Sequence, residues 1–222
     1  MLKKIVLVGV AVVVLFHIIF IILSSSYVVY LKYNNPKTTP LMEYRKRELG
    51  LKEVKHNYVP IKRIPKMVTK MLIIAEDYNF YRHRGVDMEG LMLAVSKNVK
   101  IGNMKYYGGS TISQQVARTM MLIPKKSFFR KYLELIVALE MELILGKERI
   151  LELYLNYAEW GKGIFGISSA SRYFFKKEVG SLSFEEAVRL VAVLPNPKIY
   201  SPFSVSKLVE NRVELIKRYY NN

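Results

Sequence analysis

Nineteen consecutive residues, Ile5 to Leu23 (IVLVGVAVVVLFHIIFIIL), carry a single polar side chain, His17. At ~1.5 Å rise per residue such a run spans roughly 28 Å as a helix, close to the hydrocarbon thickness of a bilayer. Within lipid the backbone must satisfy its own polar groups, which leaves the helix as its form. A cleavable signal usually has a shorter apolar region of about 7–15 residues, although Ser24-Ser25-Ser26 could serve a signal peptidase. The expectation is an uncleaved anchor. Charge does not orient it, because Lys3 and Lys4 precede the run while Lys32, Lys37, Arg45, Lys46 and Arg47 follow it. His17 reads as a lone polar residue tolerated in the span, with a partner helix as the alternative.

About 190 of the 222 residues lie beyond this segment, enough for one domain with its own core. At 51% hydrophobic and 24% charged residues, the chain fits neither disorder nor collagen. The absence of cysteine excludes disulfides and thiolate metal sites and says nothing of compartment. Net charge is +17; beyond residue 31, 33 basic residues face 18 acidic ones, or +15. That excess favours anionic partners, whether nucleic acid, lipid headgroups or phosphorylated substrates, without choosing among them.

Residues 32–59, with Pro36 and Pro40 among charged and polar residues, read as a stalk, and residues 60–222 as the domain. Pro65 opens a helical pattern with Met67, Met71, Ile74 and Tyr78 on one stripe. Residues 97–109 (KNVKIGNMKYYGG) lack periodicity and read as a loop. Ser110 or Thr111 can cap a helix running toward Pro124. Residues 128–145 form a helix apolar nearly all round, which implies a central position, and Gly146 ends it. Further helices are expected over about Lys147–Ala158 and Ser183–Leu194. Strand-like alternation is scarce, so the fold class is mainly α.

Three stretches carry chemistry. Glu76, followed by Asp77, Phe80 and His83, stands where an apolar helix meets an aromatic turn, a suitable place for a general base. Helix-end solvation with a satisfied His83 accounts for the same residues. Gly108 and Gly109 precede Ser110, Thr111, Gln114 and Gln115, so backbone N–H groups could approach a phosphate or sugar oxygen; a plain helix cap is the bland alternative. Glu134 shares a helical face with Ala138 and Met141, four residues after Arg130 and three after Lys131. A carboxylate on an apolar face must be paired, protonated or employed. Glu140 is equally placed and reads as structurally paired. Arg118, Lys125, Lys126 and Lys147 could extend a cationic lining or be solvated surface.

The order and spacing of EDYNFYRHRGVD (76–87), GGSTISQQ (108–115), RKYLELIVALEMEL (130–143), KERILELYLN (147–156) and LPNPKIYSP (194–202) closely resembles the family-51 glycosyltransferases, the peptidoglycan transglycosylases. The similarity covers roughly residues 60–202. NYAEWGKGIFG (156–166) resembles the monofunctional biosynthetic form, so the expectation is a glycosyltransferase without a transpeptidase domain after it. The resemblance implies a mainly α, lysozyme-like, two-lobed glycosyltransferase domain behind a single N-terminal transmembrane helix. It implies lipid II and the growing glycan chain as substrates, undecaprenyl diphosphate as leaving group and a β-1,4-linked glycan as product. By motif matching, Glu76 takes the place of the base and Glu134 that of a second catalytic carboxylate. Asp77, Phe80, His83, Gly109, Ser110, Thr111, Gln114, Gln115, Arg118, Lys126, Arg130, Lys131 and Asn156 fall where the family binds diphosphate and sugar. Gly146 and Lys162 depart from the family's usual residues at non-catalytic positions.

Such a substrate places the N-terminus in the cytoplasm and the domain outside the cytoplasmic (inner) membrane, with cell-wall synthesis proteins as expected partners and no nucleic acid. No cofactor is required by the sequence; magnesium or manganese could assist through the substrate's diphosphate. Two rivals share some of these features. A membrane-anchored, lysozyme-like glycan-cleaving enzyme would use paired carboxylates but has no diphosphate to hold. A tethered basic module binding nucleic acid or a teichoic-type polymer would spread its cations over a face rather than around the carboxylate blocks.

Overall fold

In the computed structural model the described residues are 1–101, 108–122, 125 and 127–221. They form α1 (Leu2–Tyr33), α2 (Pro40–Glu48), β1 (Lys55–His56), α3 (Lys66–Glu76), α4 (Met88–Ile101), α5 (Ile112–Met121), α6 (Phe128–Ile144) and α7 (Lys147–Tyr157). The chain continues through β2 (Glu159–Gly161), β3 (Ile164–Phe165), α8 (Ile167–Phe175), α9 (Phe184–Ala192) and α10 (Lys207–Asn221). The three short strands make one sheet in the order β1-β3-β2, with β1 parallel and β2 antiparallel to β3.

Two groups of helices build the core. In the first, α5 is the hub: Ile112, Val116, Ala117 and Met120 are buried against Val137 and Met141 of α6 and Ile150 and Leu153 of α7. Thr111 caps α5 and Gln114 answers to its backbone, a reciprocal box that satisfies two orphan amides. In the second group α3, α9 and α10 pack together through Val68, Met71 and Leu72, Val188 and Val191, and Val209, Val213 and Ile216. Ser183 and Glu186 form the same kind of box at the start of α9.

Several expectations shift. The buried stripe of α3 is Val68, Met71 and Leu72; Met67 and Ile74 lie at its margin and Tyr78 is exposed beyond the helix. An apolar run places nearly every residue on some plausible stripe, so only the docking partner selects the face. Residues 32–59 are not an extended stalk. The N-terminal helix continues to Tyr33, Thr39 caps α2, Met42 enters the core and Lys55-His56 pairs with β3. Pro40 opens a helix here rather than breaking one. Residues 97–101 belong to α4, while 102–107 lie outside the described residues. Helix α6 is central on one face only: Phe128, Phe129, Leu139 and Leu143 are exposed.

The anchor is docked, not free. From Phe16 onward α1 runs beside α6, and Val28 and Leu31 are fully buried. His17 therefore has a partner: its Nδ1 donates to the Val13 carbonyl and its Nε2 accepts from the Tyr132 hydroxyl at 2.9 Å.

Candidate active site

Glu76 is the last residue of α3, and its carboxylate reaches across to both helical groups. One oxygen accepts from Nη2 of Arg212 on α10 at 2.7 Å, the other from Nε2 of Gln115 on α5 at 3.2 Å. Arg212 is itself held by the carbonyls of Ala192 (3.1 Å) and Ala75 (3.4 Å). The Tyr154 hydroxyl supports Gln115 from behind at 3.3 Å. Burial, with Glu76 nearby, pushes the Tyr154 phenol well above its ordinary range, so it stays a proton donor.

The residues after Glu76 fix its helix end. Buried Asp77 accepts from His83 Nε2 at 2.9 and 3.0 Å and from the Ile112 amide at 2.9 Å, tying α3 to the start of α5. Thr111 donates to the Gly85 carbonyl at 2.6 Å. Phe80 is fully buried, with the Lys147 ammonium 4.4 Å from its ring centre. Gly109 lies close to α4: a Cβ there would sit 2.7 Å from Leu91 Cδ1, so that side chain would have to turn aside.

On α6, Glu134 is fully buried and bonded to both Arg130 and Lys131, the latter at 2.5 Å. Lys131 also donates to Ser110 Oγ at 2.9 Å and Gln114 Oε1 at 3.2 Å. Removing one member of such a buried group strands the others, so the three act as a unit. Glu134 lines neither of the two cavities that flank Glu76 and Gln115, and it reaches the site through its two cations.

Two cavities meet at the Glu76–Gln115 bond. The first, about 400 Å³, is lined by Glu76, Asp77, Ser110 and Thr111 with Leu91 and Tyr219. The second, about 490 Å³, holds Gln115 and Tyr154 among Arg45, Arg118, Arg130 and Lys198. Among the described residues Arg118 has no acidic partner, so a half-buried guanidinium faces this cavity unpaired. Cations arranged before any anion arrives suit a ligand or leaving group with several negative charges.

A family model described as Transglycosylase matches residues 43–220. The chain belongs to this family. The transglycosylase is thus an enzyme with a mainly α, lysozyme-like fold behind one long apolar helix. It is 38% identical to a biosynthetic peptidoglycan transglycosylase of Thiobacillus denitrificans over 95% of this chain and 92% of that protein. A protein of the same description from Aromatoleum aromaticum is 44% identical over 75% of this chain and 74% of its own length. Another, from Laribacter hongkongensis, is 34% identical over 96% and 95%.

Most site residues named from the transglycosylase's sequence converge on the two cavities or brace their walls. Asn156 does not. It is buried, and its amide is spent on the backbone of Val59 at 2.8 and 2.9 Å and on the Glu152 carbonyl. Lys126 lies outside the described residues. Arg212, Tyr154, Arg45 and Lys198 were missed. Arg212 left a signal: it stands on the stripe Val209, Val213, Ile216, where an arginine must reach an internal partner. Among the described residues no group of three or more His, Asp or Glu is placed to hold a metal.

Proposed function

We propose that this chain is a peptidoglycan glycosyltransferase that polymerises lipid II into β-1,4-linked glycan and releases undecaprenyl diphosphate with inversion. The observation that carries this reading is Glu76 at the junction of an open cavity and a cation-lined one, fixed by Arg212 and Gln115. The acceptor sugar enters the first cavity and presents its 4-hydroxyl to Glu76. The carboxylate takes the proton as the oxygen attacks the donor's anomeric carbon, and the bond from that carbon to the phosphate oxygen breaks. Arg118, Arg130 and Lys131 receive the developing charge on the diphosphate, so no acid need protonate the leaving group. Any divalent cation enters with the diphosphate rather than on a protein cage.

Membrane geometry supports a lipid-linked substrate. No residue in the apolar window of α1 is fully enclosed by protein, and Phe128 and Phe129 stand exposed beside its Phe16 level. With Lys3 and Lys4 on the cytoplasmic side, the domain lies outside the cytoplasmic membrane, where confinement to one surface raises the encounter rate. The test is incubation of detergent-solubilised protein with labelled lipid II. Long glycan that lysozyme digests is expected; no polymer, with soluble muropeptides released from purified sacculi, would replace this reading with glycan cleavage.

A further inference from the structure

A hydrophobic tether needs no specific polar bonds to the domain it carries, yet α1 makes several. His17 bonds Tyr132 at 2.9 Å, Ser24 Oγ donates to Glu140 Oε1 at 2.9 Å, and the Phe16 and Phe129 rings lie 5.8 Å apart. At its far end, Arg149 of α7 donates to the Leu31 carbonyl at 2.8 and 2.9 Å and to the Asn34 carbonyl at 2.8 Å, with Glu152 bracing the guanidinium. Contacts ascend together along both helices, from Phe16 with Phe129 to Ser24 with Glu140, so α1 and α6 run parallel. Phe129, Tyr132, Ile136 and Glu140, spaced three, four and four residues, make the anchor-facing side of α6. Arg130, Lys131 and Glu134 occupy the opposite side of the same helix, turned toward the domain interior.

A helix moves as a rigid rod on this scale, so the pitch at which α6 rests on α1 sets where Arg130 and Lys131 stand. Ser24 and Glu140 are almost excluded from solvent, at 1% and 9% exposure, and among the described residues Glu140 Oε2 has no hydrogen-bond partner, which leaves Ser24 as the carboxylate's donor. Such a joint holds one register, because sliding would strand a buried carboxylate. We propose that the membrane anchor is a positioning element of the active site, in which His17 and Ser24 set the seat of α6 and thereby the diphosphate-binding cations. This rests on the reading of Arg130 and Lys131 given above.

The test compares full-length variants in one detergent: His17→Phe with Ser24→Ala together, Glu140→Gln, and the lipid-facing controls Val12→Leu and Ile22→Leu. The double variant should lose roughly three- to tenfold in kcat on lipid II, less than the ~10²-fold that a 1 Å displacement can cost. It should also bind undecaprenyl diphosphate more weakly, while KM for the acceptor and the melting temperature stay near wild type. Glu140→Gln keeps the size and the hydrogen bond and should retain activity, as should both controls. Wild-type kcat and diphosphate affinity in the double variant overturn the proposal, as does a loss that merely follows melting or is matched by the controls. The binding arm keeps the inference separate from the catalytic one: lipid II left unpolymerised by the wild type defeats the proposed reaction, whereas unchanged diphosphate affinity in the double variant defeats the anchor's role.

Discussion

Arg212 does for Glu76 what no residue near it in sequence could. Its guanidinium bridges the carboxylate and two backbone carbonyls of separate helices, so one side chain of α10 fixes both the position and the counter-charge of the base. Arg212→Ala should lower kcat by about 10²-fold with a smaller change in KM, the pattern of lost transition-state positioning. Arg212→Lys should recover only part, since an ammonium cannot hold three acceptors in a planar fork. Equal kcat in wild type and Arg212→Ala would reduce the contact to packing. Glu134 works through others, fixing Arg130 beside the second cavity and holding Lys131 against Ser110 and Gln114. Glu134→Gln should reduce turnover by at least tenfold, as loss of a preorganised electrostatic group does; a loss below threefold would assign it to structure alone. The motif residues were legible in sequence because they sit in contiguous blocks around short turns. Arg212 was not, because its role depends on which helix α3 meets some 130 residues later in the chain.

At the scale of elements, propensity and capping located α3, α5, α6, α7 and α9, and packing chose their faces. The reciprocal boxes at Thr111/Gln114 and Ser183/Glu186 are local and readable. Helix α2 was hidden because Pro40 and its charges match a linker's composition, while its stability comes from Met42 in the core and Arg45 on Glu159 at 2.8 Å. The α1–α6 joint was equally hidden, since a nineteen-residue apolar run looks the same whether it touches lipid or protein. That joint has a pH signature. Burial raises the pKa of Glu140, against the opposing effect of the hydrogen bond from Ser24 and the nearby Ser25 hydroxyl. A carboxyl with a raised folded pKa favours the fold when protonated, and that contribution fades as pH climbs through the raised value. Glu140→Gln should therefore melt above wild type at pH 8, with the gap closing toward pH 4. A constant difference across that range would mean that Glu140 does not titrate with folding.

For the whole molecule, the proposed reaction on a lipid-linked substrate requires the cationic cavity to open toward the surface that α1 enters. Protease added to intact spheroplasts should cut within residues 35–222 and spare the N-terminus; protection of the domain would reverse the proposed orientation. The central claim is narrower: the carboxylate between the two cavities removes the acceptor's proton. Glu76→Gln keeps the shape and the hydrogen-bonding reach of the side chain and removes its basicity. The decisive measurement is single-turnover transfer on lipid II by the purified Glu76→Gln protein, with binding measured in parallel. Lipid II binding near wild type with turnover down by 10³-fold or more is the expected result. Near-normal turnover would contradict the account, because the proton would then leave by a route that does not pass through Glu76.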